Sequence, residues 1–281
     1  MNEYISYVDL RRYRSHGTDA TAHDDLLKRF CREASRKFER ACLGRAFYPT
    51  IATKYFDFVD SLSLPLARDD LLEWTALIID DTAQTLTDFE LYPANTYPKS
   101  RVDANRGASA YFDWSTTPQK IIAITGTWGY HERWDDAWVD TLDTVQNATQ
   151  ISAAGLSLTF TDIDGDDENG DDRCIAQSLL KIGDEFLYVT ATNTTSQVAT
   201  VVRGVNGSTA AAHLNGVAIY RYAPMDEVVD AVRHLAAWMY AKRDAPGSDE
   251  KIIVPGAGVI VSQWPAEVRD TVELLKRRRY A

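Results

Sequence analysis

Residues 150–222 constrain the fold most. LSLTF, FLYVTAT, QVATVVR and VAIYRY cluster β-forming residues, and Gly155, Gly183, Gly204, Gly207 and Gly216 punctuate them. Short strands between turn residues predict a compact antiparallel β-module. Helical periods lie on both sides of it. A module inserted into a larger body is therefore expected, because the two ends of a domain are often close together.

Upstream, Leu26, Leu27, Phe30, Cys31, Ala34, Phe38, Ala41 and Cys42 recur at the spacing of one helix face. Thr21 is a candidate cap, Asp24 adds negative charge to the first turn, and Gly44 is a stop. A shorter helix around Val8, Leu10 and Tyr13 is expected to fold back on the long one. The opposite face carries Lys28, Arg29, Arg32, Arg36, Lys37 and Arg40. Such a face is either solvated or turned toward an acidic partner or DNA.

From Thr50 the period changes. ATKYFDF, SLSLPL, WTALIID and FELYP read as strands of a small sheet, and QKIIAITGTWGY (119–130) as a buried strand ending near Gly126. WDDAWVDTLDTVQ then resumes a weak helical period through Trp138, Leu142 and Val145. Beyond the module, Pro224 opens a helix with a broad apolar surface from Val228 to Tyr240, stopped by Ala245-Pro246-Gly247. KIIVPGAGVIV (251–261) suits a hairpin or an extended arm. Pro265 starts a last helix with Val268, Val272 and Leu275 on one face. Lys276, Arg277, Arg278 and Arg279 lie at its carboxyl end, where cations suit the helix dipole.

Charge and composition narrow the function classes. The chain has 281 residues, 30 Lys+Arg, 41 Asp+Glu and a formal net charge of -11. That charge argues against a general nucleic-acid binder while leaving room for a local basic patch. Hydrophobic residues at 45% exclude a wholly disordered chain. No run approaches the roughly 18 apolar residues of a membrane span, and the start MNEYISYVDLRRYR lacks the apolar core of a secretion signal. Cys31, Cys42 and Cys174 have no metal-site spacing, and their odd number fits a reduced site of synthesis. The 14 Tyr, 9 Phe and 7 Trp fill cores or anchor interfaces.

Signals for chemistry are sparse. DIDGDDENGDD (162–172) holds seven carboxylates in eleven positions. A calcium loop needs Gly at its sixth position. Counting from Asp162 places Asp167 there, and counting from Asp164 places Asn169 there. The run therefore reads as a solvated, mutually repelling loop. His16, His23, His131, His213 and His234 are scattered, without a zinc pattern. Ser208 and His213 are close in sequence, but a triad is defined by geometry. RGVNGS (203–208) lacks a phosphate-loop ending, and Asn206-Gly207 reads as a tight hairpin turn. Asp135 and Asp136 are adjacent, which is common in a chain with 41 acidic residues, and the defined carboxylate separation of a glycosidase is a matter of space, not sequence. The expectation is no enzyme, no cofactor and no metal. Assembly has more support: the face at 228–240, the arm at 251–261 and the basic tip at 276–279 all suit contacts between chains.

The order of segments resembles the head-to-tail adaptor family of tailed bacteriophages, also called head-completion or connector proteins. Tyr7-Val8-Asp9-Leu10 resembles the family's entry into its first helix, and Gly44-Arg45-Ala46-Phe47-Tyr48-Pro49 its helix-ending segment. Ile124-Thr125-Gly126-Thr127-Trp128-Gly129-Tyr130 and the helix at 226–243 resemble later stretches. The likeness covers about 1–145 and 223–281. Ile182-Gly183-Asp184-Glu185, Leu187-Tyr188-Val189, Val202-Arg203-Gly204-Val205-Asn206-Gly207-Ser208 and Ala211-Ala212-His213 resemble a β-module of several phage virion proteins, some longer adaptors included.

The resemblance implies an α+β fold: a helical adaptor body (1–149 and 223–281) with a small β-sheet and an inserted antiparallel β-module (150–222). It implies a dodecameric ring at the head–tail junction of a virion, synthesised in the host cytoplasm. The ring docks beneath the portal protein, extends the DNA channel and receives the next neck or tail protein. DNA passes without sequence-specific binding, and no membrane is involved. Val268, Val272, Leu275, Arg277, Arg278 and Arg279 are the implied portal-docking residues. Ile252, Ile253, Val254, Val259 and Ile260 are the expected inter-subunit residues. Two other readings stand beside it: a different neck or tail-completion protein, and a carbohydrate-binding or glycan-processing protein suggested by the aromatic and acidic counts.

Overall fold

The computed structural model describes residues 2–14, 23–58, 61–107, 111–112, 117–243, 252–254, 258–260 and 264–277. Four α-helices occur among them: α1 (Tyr7–Tyr13), α2 (Asp24–Ala41), α3 (Asp226–Lys242) and α4 (Ala266–Leu275). In α1, Ser6 Oγ accepts the Val8 N–H, and Asp9 reaches back to the Ser6 N–H, a reciprocal cap. In α2, Leu27, Cys31, Ala34 and Phe38 are fully covered and fix the inward face. Thr21, the expected cap, lies outside the described residues; His23 stands at the cap position. Helices α1 and α4 pack beside the α2–α3 pair.

Between the helices the chain is strand after strand. β1 (Thr50–Phe56), β2 (Ser63–Pro65), β3 (Leu71–Ile79), β4 (Thr82–Ala83), β5 (Phe89–Tyr92), β6 (Arg101–Ala104) and β7 (Ile122–Trp128) form two antiparallel sheets. Their orders are β1-β7-β3-β4 and β2-β6-β5. Leu64, Leu77, Phe89, Val102, Ile122 and Ile124 close the core between them. β8 (Trp138–Thr144), β9 (Gln150–Ile151), β10 (Ser157–Thr159), β11 (Leu179–Ile182), β12 (Glu185–Asn193), β13 (Val198–Val202), β14 (His213–Leu214) and β15 (Ala218–Tyr222) follow. Six of them make one antiparallel sheet, ordered β10-β13-β12-β11-β15-β8, and β9 pairs with β14. β16 (Ile252–Val254) and β17 (Gly258–Ile260) pair as a hairpin.

The expected α+β fold with a helical adaptor body is overturned. The chain is mostly β-sheet, and its four described helices share one hydrophobic core with Leu72, Leu179, Phe186 and Tyr222 of the strands. The clearest misreading is 138–145. Trp138, Leu142 and Val145 have helical spacing, yet the segment is β8, which pairs with β15 from Trp138↔Tyr222 to Thr144↔Ala218. Its inward residues are Val139, Thr141 and Asp143, two of them polar. Thr141 Oγ1 donates to the Ile219 carbonyl at 2.7 Å, and Asp143 accepts the Thr161 and Asp162 N–H groups. Buried polar groups with partners are tolerated, and here they conceal the two-residue period of the strand. Leu142, counted as an apolar helix position, is instead 62% exposed at φ 56°.

A strap at the amino terminus ties the layers together. Glu3, Tyr4, Ile5 and Ser6 are all buried. The Glu3 carboxylate accepts Arg32 Nε of α2 at 3.1 Å and the Tyr188 hydroxyl of β12 at 2.6 Å. Its carbonyl accepts the Tyr48 hydroxyl. The Tyr4 N–H donates to Ser35 Oγ, and Ser6 Oγ donates to the Ala176 carbonyl. Replacing Glu3 by Ala leaves the buried Tyr188 hydroxyl without its acceptor. We expect a stability loss of about 2 kcal/mol, the cost scale of one orphaned buried polar group, read as a lower urea midpoint. Tyr188→Phe removes only the donor and is expected to cost less.

Candidate functional site

Two runs distant in sequence meet where α2 ends. Leu43 and Gly44 take left-handed backbone angles (φ 60° and 75°), and the Gly44 N–H closes on the Glu39 carbonyl at 2.8 Å. This stops the helix and turns residues 45–49 along the sheet. The Tyr130 N–H donates to the Ala46 carbonyl at 2.8 Å, and the Gly129 N–H donates to the Asp70 carbonyl at 2.8 Å. A Cβ on Gly129 would lie 2.5 Å from the Tyr48 carbonyl oxygen, so the two runs meet at backbone distance. Phe47 packs edge-on to Tyr130 at 5.8 Å, and its carbonyl accepts the Tyr222 hydroxyl at 2.7 Å.

Arg45 is the electrostatic centre of this junction. Its guanidinium lies 3.9 Å from the centre of the Tyr130 ring and pairs with Asp70 at 3.1 Å. Nη1 donates to the Leu275 carbonyl, the last residue of α4, at 2.7 Å. Arg277 approaches the same Asp70 at 3.5 Å. Burial raises the Asp70 carboxyl above its ordinary range, against the pull of Arg45 and Arg277. One carboxylate between two arginines therefore joins the end of α2, the start of β3 and the carboxyl end of α4.

A second charged centre holds the β-module. Glu185 is 1% exposed. It accepts Arg203 Nε at 2.7 Å and Nη2 at 2.6 Å, the N–H groups of Gly204 and Ala211 at 3.0 Å each, and His213 Nε2 at 2.8 Å. Burial alone would raise this carboxyl, but the bonds from Arg203, Ala211 and His213 hold it below the usual range. Arg203, Gly204, Ala211 and His213, separate stretches of the sequence, thus converge on one carboxylate. Ser208 bonds Phe186 and Val205 instead, while His213 is spent on Glu185. Asn206 and Gly207 do make a left-handed turn (φ 53° and 81°). It docks on β1: the Asn206 carbonyl accepts the Ile51 N–H at 2.8 Å, and a Cβ on Gly207 would sit 2.0 Å from the Ile51 carbonyl oxygen.

The acidic run at 162–172 is ordered by arginines rather than by repulsion. Arg173 donates to the Asp162 and Asp166 carbonyls at 2.7 and 2.9 Å. Arg221 binds the buried Asp167, and Arg12 binds Asp172. Among the described residues, no group of three or more His, Cys, Asp or Glu is arranged to hold a metal ion. Beside this run lies an open groove of about 820 Å³ between the 131–139 segment, the 168–171 turn and the first turn of α3. Asp135 and Asp136 belong to this groove, and Asp135 accepts the Tyr97 hydroxyl at 3.0 Å. His131 is buried, with Nε2 on the Ala223 carbonyl and Nδ1 accepting the Arg133 N–H; burial pushes its pKa down.

The expected docking residues divide into three groups. Val268, Val272 and Leu275 are buried in the chain's own core with α3, so their stripe is already filled. Arg277 is committed to Asp70, whereas Arg278 and Arg279 lie outside the described residues. Of the inter-subunit set, the backbone pairs Ile252↔Ile260, Ile253↔Val259 and Val254↔Gly258. The roles of Arg45, Asp70 and Glu185 were missed by sequence reasoning, since only distance separates them from the other charged residues. No protein family, curated protein or solved structure matches the chain.

Two measurements check these centres. Arg45→Ala leaves Asp70 with Arg277 alone and removes the bond to α4; we expect the amides of 266–275 to exchange with solvent at least about tenfold faster, with a stability loss of about 2 kcal/mol. Arg45→Lys keeps the charge but loses the fork, and should rescue only part of this. For Glu185 the sign follows from its depressed folded pKa. Its stabilisation is present above the unfolded value of 4.5 and is lost as pH falls below it. Glu185→Gln should therefore flatten the loss of thermal stability seen on lowering the pH below that value.

Proposed function

We propose that this chain is a structural head-to-tail adaptor of a tailed phage. It forms a ring beneath the portal protein, extends the DNA channel and offers a platform to the next neck or tail protein. The action is binding and symmetry matching, not turnover. The observation that supports it is the junction at Arg45. The runs 44–49 and 124–130, which carry the resemblance, pack against each other and seat the carboxyl-terminal helix on the body.

The burial of Val268, Val272 and Leu275 refines the docking surface. These side chains position α4, and portal contact falls to what α4 presents outward. Leu274 is 75% exposed, and the basic residues Arg278 and Arg279 follow. Removing α4 whole would uncover the α3 face it packs on, so a shorter deletion is the cleaner probe. Deletion of 278–281 should abolish co-purification with the portal protein of the same virus while leaving the thermal midpoint of the body unchanged. Unchanged co-purification rejects this docking assignment. Association with a tail component and none with the portal rejects the adaptor reading in favour of another neck protein.

A further inference from the structure

The chain carries two exposed surfaces of opposite sign that its own fold does not bring together. The first is the outer face of α2. Arg29, Arg32, Arg36, Lys37 and Arg40 recur at helical spacing along about 16 Å of axis and line one shallow depression with Glu33. Arg29 and Arg40 are exposed and form no ion pair among the described residues; Arg32 is paired with the buried Glu3, and Arg36 and Lys37 are paired along the helix with Glu39 and Glu33. The second is the groove beside the acidic run. Glu132, Asp135, Asp136, Glu168, Asp226 and Glu227 line it, all exposed, and none of the six forms an ion pair among the described residues; Arg133 also lines it, so the groove stays strongly anionic but not uniformly so. Asp226 and Glu227 occupy the first turn of α3, where the helix dipole favours their charge.

We propose that these surfaces meet between copies: the α2 face of one chain seats in the acidic groove of the next. This assignment rests on the ring reading and gives its interface. Two different surfaces in contact make a head-to-tail interface, the kind that closes into a ring or extends as a filament. A second copy fits better than nucleic acid for two reasons. Glu33 lies among the cations of this depression, as in mixed protein interfaces, and would oppose a phosphate backbone. The net charge of -11 also repels a polyanion at long range, while the groove supplies matching carboxylates within the same chain. Unpaired charges of opposite sign steer two copies together and fix their register.

The test uses the full chain, alone and bound to portal. Arg29→Glu/Arg40→Glu reverses the helix face, and Asp136→Lys/Glu227→Lys reverses the groove; all four positions are exposed and unpaired. Each variant alone is expected to self-associate at least about tenfold more weakly by sedimentation, and an equimolar mixture of the two to recover association. In the unmodified protein, mixed light and heavy isotope chains treated with a carbodiimide should give cross-links between Lys37 of one copy and 132–136 or 226–227 of another. This second readout does not depend on the variants folding. Association that ignores both reversals, or cross-links that avoid the groove alone and on portal, overturns the proposal. So does capture of duplex DNA through Arg29 and Arg40 without self-association. Portal binding that persists with such a result leaves the adaptor reading intact and rejects only this interface.

Discussion

The buried strap of residues 3–6 is the constraint on which the layers depend. Its carboxylate, Glu3, has a side chain with no solvent exposure. A charge placed there is costly unless it is paired and hydrogen-bonded. Arg32 supplies the pairing from α2, and Tyr188 supplies a donor from β12. Those partners belong to different layers, so satisfying one carboxylate fixes their spacing. Tyr4 extends the effect: its ring stacks on Tyr48 at 4.8 Å, and its hydroxyl accepts the Phe47 N–H at 2.9 Å. The residues that turn α2 into the sheet are thus held by the strap as well as by Arg45.

The elements legible in the sequence are those whose burial follows a single period. The stripes of α2, α3 and α4 fall at helical spacing; α2 and α3 form near their expected limits, whereas α4 stops at Leu275, with Lys276 already extended, short of the run to Tyr280 that the sequence suggests. The strands from β10 to β15 follow from β-branched residues between glycines. What escaped was governed by partners far along the chain. β8 hides its inward face behind Thr141 and Asp143, whose bonds go to residues 219 and 161–162. Local pattern reports apolar burial, not polar burial made tolerable by a distant donor. The same limit makes the helices the more legible part of the chain: they extend their pattern over many residues, while two- and three-residue strands such as β2, β4 and β9 carry almost none.

The candidate site shows the limit more sharply. Arg45 was visible as part of a run, but its pairing with Asp70 and Leu275 spans 25 and 230 positions. Glu185 was one acid among 41 acidic residues, and its environment is set by backbone N–H groups that carry no side-chain signal. The cationic tip at 276–279 was legible as charge but not as commitment. Arg277 turns back to Asp70 instead of facing outward.

Net charge proves a poor description of this surface. Several acids are consumed internally: Asp167 by Arg221, Asp70 by Arg45 and Arg277, Glu185 by Arg203, and Asp172 by Arg12. What remains is unevenly placed, with an anionic groove at the start of α3 and a cationic face along α2. A chain of uniformly negative surface would repel its own copies. Segregated charge has the opposite consequence. It leaves long-range repulsion to discourage indiscriminate association, and confines attraction to one orientation in which unlike surfaces face each other. In the ring we propose, this combination would let copies meet edge to edge while the net charge keeps a polyanion from being held.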